Sequence, residues 1–331
     1  MSIHKKFFMI KKLYKDIARG ENFYSICDDI HGSILGQYYF VFDEKRVRSG
    51  KDQSLISSFD KDGIPLNNTY IDVSEVDLIY YPISIGQMGL SVYHTYLRTK
   101  SIYDLNRFLK FADWYKENAI FNKNSGAKWL TNVALPAYEN PGPWQSAFAQ
   151  SRAISILLRA FQETGQNEYN DLAKRAIIPF SISVRDGGVT SFTEWGPFFE
   201  EYTASVPILV FNGHIFSLFG LYDYIRVNPE NTDVLTIFRS GIKTLVKCLP
   251  TFDLGYWTRY NYCQAPFYPD VDPSTLSYQR LHIMLLKIIN RISPQEEFSY
   301  FIKKWNEQIR IINYLKSGLV KYKALKKMNR I

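Results

Sequence analysis

FFEEYTASVPILVFNGHIFSLFGLYDY, residues 198–224, runs from an acidic loop directly into a helix. Its first half is an acidic, aromatic loop containing Glu200, Glu201 and Tyr202 and broken by Pro207. Its second half, 211–225, places apolar residues at helical spacing. The same loop-then-helix alternation extends in both directions. Helical periodicity is expected over 84–97, 102–118, 146–164, 169–182, 233–248, 278–292 and 298–309. Pro136, Pro141, Pro143, Gly187-Gly188, Pro229, Pro250, Pro266 and Pro269 punctuate these runs. Helices in sequential pairs, joined by loops of uneven length, predict a mainly α fold: an incomplete α/α barrel, or toroid, around a central cleft. The loops 122–144, 183–207 and 249–277 are too long to be mere connectors and are expected to carry function.

Three divisions are expected. Residues 1–79 form an N-terminal arm with short strands, among them the apolar run QYYFVF at 37–42 and the turn-broken FDKDGIPL at 59–66. Residues 80–309 form the α/α-barrel catalytic domain, and 310–331 a basic amphipathic C-terminal tail.

The net charge of +8 is unevenly placed. Seven basic residues and no acid lie between Arg310 and Ile331, and the first nineteen residues carry a net +5. The body is therefore slightly acidic, and the basic total argues neither for a polyanion groove nor for a nucleic-acid partner. Ile311, Ile312, Leu315, Leu319, Tyr322 and Met328 recur at near-helical spacing among the lysines of the tail. Such a helix suits peripheral contact with an anionic membrane face; a solvated tail or homodimer packing is the plainer expectation. The three cysteines, Cys27, Cys248 and Cys263, form no CxxC pair, and the first twenty residues lack a secretory pattern. A reducing cytoplasm is the expected compartment.

The 24 Tyr and 23 Phe suit either a packed helical core or a cleft in which sugar rings stack on aromatic faces. No GxGxxG or GxxxxGK[ST] occurs and the five histidines show no metal-ligand spacing, so neither a cofactor nor a metal is expected. His214 and His282, on apolar helices, read as satisfied core or cleft-wall histidines.

Five segments in order resemble the C-terminal domain of the D-glucuronyl C5-epimerase family. They are YYPISIGQMGLSVY (80–93), WQSAFAQSRAISILLRAF (144–161), residues 198–224 quoted above, LPTFDLGYWTRYNY (249–262) and TLSYQRLHIMLL (275–286). The resemblance covers roughly 80–308. It implies an incomplete α/α barrel and a uronyl C5-epimerase acting on an acidic polysaccharide, with Glu201, Tyr202, Tyr260 and Tyr278 at the positions of its acid/base residues. Gln87, Trp144, Gln150, Arg152, Trp195, Asn212, Arg259 and Arg280 are the expected substrate contacts. Two departures stand out. The family's Tyr-Asp-Leu-Arg reads Tyr260-Asn261-Tyr262-Cys263, so an arginine is missing, and its Asp-Tyr-His reads Ser277-Tyr278-Gln279.

The implied chemistry explains the residue types. Inverting the carboxylate-bearing carbon needs a base on one face and an acid on the other, plus cations or donors to hold the enolate-like intermediate. A glutamate against Trp195, Phe198 and Phe199 is desolvated into a better base. Arg259 or Arg280, each beside a tyrosine in sequence, would supply the positive field. Rival readings are a polysaccharide lyase, a glycosidase pairing Glu201 with Asp253 or Asp270, and a non-catalytic glycan-binding protein.

Overall fold

The computed structural model describes residues 25–49, 56–70, 73 and 77–331. The segments 1–24, 50–55, 71–72 and 74–76 lie outside the described residues, including the whole of the basic N-terminal stretch. Among the described residues the helices are α1 (Glu44–Arg48), α2 (Pro82–Thr99), α3 (Ile102–Glu117), α4 (Ala147–Thr164), α5 (Asn167–Ile177), α6 (Phe211–Val227), α7 (Thr232–Phe252), α8 (Leu276–Ile292), α9 (Glu296–Glu307) and α10 (Ile311–Lys327). The short strands are β1 (Ser25–Ile26), β2 (Phe40–Val41), β3 (Ile56–Phe59), β4 (Pro65–Asn68), β5 (Leu78–Tyr80), β6 (Ile120–Asn122), β7 (Gly126–Lys128), β8 (Thr190–Thr193) and β9 (Gly196–Phe199).

Local sequence sets the helix ends. Pro82 opens α2, where a missing N–H costs nothing, and Lys100 closes it in the left-handed conformation. Ser101, Ser146 and Asn231 each accept a backbone N–H in the first turn of α3, α4 and α7. Gly165 ends α4 at φ 71°, a conformation glycine adopts without strain.

Helices α2, α4, α6 and α8 stand side by side as an inner arc, and α3, α5, α7 and α9 back them in turn. This is the incomplete α/α toroid. The buried faces explain the order. Helix α4 is buried along most of its length and α6 on nearly every side, as expected of helices apolar all round. The two approach closely because Gly220 has no side chain: a Cβ there would lie 2.5 Å from the Cα of Ser151. Ser151 Oγ donates to Phe216 O at 2.6 Å and accepts from Gly220 N at 2.9 Å, tying the crossing together.

The arm is more deeply embedded than a small strand-rich piece. Strands β1 and β2 have two residues each, and the rest of 25–42 has little regular structure. Tyr38, Tyr39 and Phe40 are nevertheless fully buried. The arm's backbone bonds to His94 on α2, through Tyr38 N to Nε2 (2.9 Å) and Phe42 N to Nδ1 (3.1 Å). Tyr39 donates to Asp223 on α6 at 2.8 Å, and Arg291 on α8 donates to Cys27 O and Asp28 O. On α4, Arg159 Nε donates to Gly36 O at 3.1 Å and Gln162 Oε1 accepts from Leu35 N at 2.8 Å, so one segment bridges all four inner helices. Asp223 also holds the fully buried Arg159 at 2.8 Å. Burial pushes His94 down to about 3, so it serves as a neutral ring. Cys27, Cys248 and Cys263 are free and buried.

Candidate active site

The long loops contain structure that periodicity did not indicate. Within 183–207, β8 and β9 form an antiparallel hairpin pairing Thr190 with Phe199 and Thr193 with Gly196. The hairpin delivers Glu200, Glu201 and Tyr202 to the N-terminal end of α6. Phe199 is anchored on α6, its N–H donating to His214 Nδ1 at 2.9 Å, while His214 Nε2 reaches Gly241 O at 3.0 Å. Burial lowers His214 to about 4, so a neutral ring joins the hairpin to α7.

Successive carboxylates then take opposite tasks. Glu200 turns into the loop, accepting from Ser191 Oγ (2.6 Å), Ile208 N (3.2 Å) and Leu209 N (2.9 Å). It clamps the chain where Leu209 adopts φ 55°, a left-handed conformation costly for a branched residue. Glu201 turns the other way, over the first turn of α6. Its Oε2 accepts from Asn212 Nδ2 at 3.0 Å, and the neighbouring Tyr202 hydroxyl also favours its ionised form. Gly213 makes room: a Cβ there would lie 2.4 Å from Glu201 Cβ. Burial raises Glu201 to about 7, against the lowering effect of Tyr202 and Asn212. Glu200 is likewise raised to about 7 by burial.

A chain of tyrosines runs outward from Glu201. The Tyr202 hydroxyl lies near enough to Tyr260 to act on its ionisation, and Tyr260 meets the ring of Tyr278 edge-on at 5.1 Å. Burial holds the Tyr202 and Tyr260 hydroxyls well above their usual range, and the Glu201 charge pushes the same way. Both remain protonated, as acids rather than bases. Loop 249–277 is tied down to present Tyr260: Tyr260 N donates to Asp272 O at 2.8 Å, and its carbonyl accepts from Phe211 N at 3.2 Å. Tyr278 stands in the first turn of α8, half-buried. Glu201, Tyr202, Tyr260 and Tyr278 therefore gather in one place from three separated segments.

Other residues complete the wall without having been expected there. Tyr70 and Tyr81 share a 2.8 Å hydroxyl contact, and both interact with Tyr202. Tyr138 stacks on Tyr202 at 5.9 Å and on Tyr268 at 5.3 Å. Lys321, from the inner face of α10, pairs with Asp272 at 2.6 Å and stands 5.5 Å from the Tyr260 ring centre. Arg330 lies near enough for its charge to act on Tyr70 and Tyr138. The aromatic excess of the sequence was the one general sign of this wall.

The expected substrate contacts divide. Trp144 sets its ring edge-on to Tyr202 at 5.1 Å while its Nε1 donates to Val133 O, and Asn212 orients Glu201. Gln87 and Arg280 lie half-buried on α2 and α8, and Trp195, beside the β8–β9 turn, packs on Tyr262 at 5.6 Å. Three others need correction. Gln150 is fully buried, its amide nitrogen donating to Ala127 O and Ala176 O. Arg152 is fully buried with its guanidinium 4.6 to 5.4 Å from the ring centres of Tyr38, Phe148, Phe216 and Phe42, a cation–π cage far from solvent. Arg259 donates to Thr251 O and Asp270 O, its cation committed to loop carbonyls instead of the tyrosine cluster. Asp253, one of the two suggested glycosidase partners, is held by Lys304 at 2.6 Å and Gln308 at 2.8 Å. His282 is buried beside Thr258 and is lowered to about 3 by burial.

An α/α toroid with a buried carboxylate and a tyrosine cluster at the loop end is the class these features define. Residues 123–307 match the family described as D-glucuronyl C5-epimerase C-terminus, and the chain belongs to that family. It is 29% identical over 213 residues to the D-glucuronyl C5-epimerase of Caenorhabditis elegans, a match covering 60% of this chain and 34% of that one. It is 27% identical over 184 residues to an uncharacterized protein of Methanocaldococcus jannaschii, covering 54% and 57%. The chain thus spans about a third of one curated relative and just over half of the other. A solved structure of cellobiose 2-epimerase from Spirochaeta thermophila superposes with a TM-score of 0.51 at 11% identity, over 80% of this chain and 65% of that one, a likeness of fold alone. Among the described residues no helix is long and apolar enough to cross a membrane.

Proposed function

We propose that the chain is a uronyl C5-epimerase, inverting carbon 5 of glucuronic acid residues in an acidic polysaccharide. The observation that carries this reading is the joining of Glu201, poised at about 7, to the protonated Tyr202 and Tyr260 and so toward Tyr278. Glu201 as carboxylate removes the proton at carbon 5, and the electron pair moves into the sugar's carboxylate to give an enolate-like intermediate. Tyr278, with Tyr260 orienting it, delivers a proton to the opposite face. Glu201 ends protonated and the tyrosine ionised, and the hydroxyls of Tyr202 and Tyr260 offer a route for returning the proton between them. Lys321, whose ammonium is paired with Asp272 and stands beside the Tyr260 ring, is our candidate for the cation that replaces the missing arginine, and it would have to share its charge between Asp272 and the substrate carboxylate.

Incubation with unsulfated glucuronic acid polymers, followed by disaccharide analysis, tests the reading. Conversion of glucuronic to iduronic residues without chain shortening is expected. An ultraviolet-absorbing unsaturated end would identify a lyase, and new saturated reducing ends a glycosidase.

A further inference from the structure

Helix α10 turns its apolar residues the wrong way for an ordinary surface helix. Ile311 is 81% exposed, Ile312 70%, Leu315 58%, Leu319 70% and Tyr322 56%. At about 100° per residue these five fall within one stripe. The buried positions of the helix are instead Ser317, Ala324 and Leu325, and Lys321 reaches inward to Asp272. Five large apolar side chains on one face of one helix form a contiguous patch rather than the scattered exposure normal for a protein surface.

Charge selects what covers it. Lys316, Lys323 and Lys327 follow one edge of the stripe and Lys326 lies within its last turn; all four are exposed. No Asp or Glu occurs from Arg310 to Ile331. A second copy meeting this face across a two-fold axis would bring like-charged helices together. An anionic bilayer takes both features: acyl chains accept Ile, Leu and Tyr side chains to shallow depth, and the headgroups accept the ammonium groups.

We propose that the outer face of α10 docks the protein flat on an anionic membrane surface. The inner face of the same helix stays on the tyrosine cluster through Lys321. Docking would therefore hold the candidate site close to the lipid surface without rearranging it. This inference stands independently of the reaction assigned to the site.

Co-sedimentation of the whole chain with vesicles of phosphatidylglycerol and phosphatidylcholine, against phosphatidylcholine alone, is the test. Comparison with Leu315→Glu/Leu319→Glu isolates the stripe; both positions are exposed, so thermal melting of the variant should match the parent. The expected result is binding to the anionic vesicles, weakened about tenfold or more by the double substitution, by neutral lipid and by salt. Equal sedimentation of parent and variant, or none by the parent, would overturn the proposal. So would a dimer in light scattering that the same substitutions convert to monomer, because the face would then be a self-association surface.

Discussion

The side-chain nitrogen of Asn212 stands 3.0 Å from Oε2 of Glu201, a buried amide donating to a buried carboxylate. This bond favours the ionised form against the burial that disfavours it, and so helps to set the carboxyl at about 7. Asn212→Ala removes the donor. Glu201 should then titrate higher, and the rising limb of kcat/KM against pH should move to more alkaline pH. In the parent that limb is expected near pH 7, with a plateau above it, since Tyr202 and Tyr260 keep their protons well beyond their usual range. An unshifted limb in the variant would remove Glu201 as the group that governs it.

Gly213 tests the same carboxylate by shape. Alanine there would bring a Cβ 2.4 Å from Glu201 Cβ and 2.7 Å from its Oε2. The carboxylate must move, and a displacement of about 1 Å at a reacting group costs on the order of 10²-fold in rate. Gly213→Ala should show this loss in kcat while the inner arc of helices remains folded by circular dichroism.

Tyr278→Phe keeps the ring that meets Tyr260 and removes only the hydroxyl. The expected loss is about 10²–10⁴-fold, the usual size of one acid/base contribution. Turnover equal to the parent's would take Tyr278 out of the mechanism.

Glu200 and Glu201 also make folding stability depend on pH. Both are raised from 4.5 to about 7 in the folded protein, so between those values the native state binds more protons than the unfolded chain. Their contribution is fully present below pH 4.5 and is lost as pH rises through about 7, with a slope of ~1.4 kcal/mol per pH unit for each carboxyl. Chemical denaturation at a series of pH values should show this decline. Glu200→Ala should lower stability most at acid pH, by roughly 2–4 kcal/mol below pH 4.5, because the N–H groups of Ile208 and Leu209 lose their acceptor, and the loss should shrink as pH rises through about 7.

The helices were legible because their burial is one-sided or complete and leaves a periodic trace; α4 and α6 begin within a residue of the positions that spacing indicates. The β8–β9 hairpin was not, because Gly187-Gly188 reads as a break and its strands have only four residues. The gathering of Glu201, Tyr202, Tyr260 and Tyr278 was accessible only through family resemblance, since periodicity does not bring two loops and the first turn of α8 together. Gln150 and Arg152 show the complementary failure. Both lie on a helix of the inner arc, but nothing in their spacing tells which face lines a cleft and which packs on neighbouring helices. Lys321 was hidden for a related reason: a basic tail reads as a solvated face, and only its packing shows one lysine turned inward to Asp272.

In the proposed reaction this site exchanges the proton at carbon 5 through Glu201. The most direct measurement is NMR of a glucuronic acid polymer incubated in deuterated water with the parent protein and with Glu201→Gln. Deuterium at carbon 5 together with inverted residues in the parent, and neither with the variant, is the predicted result. A polymer that keeps all its carbon-5 protium in the presence of the folded parent, or a variant that exchanges as fast as the parent, would contradict it.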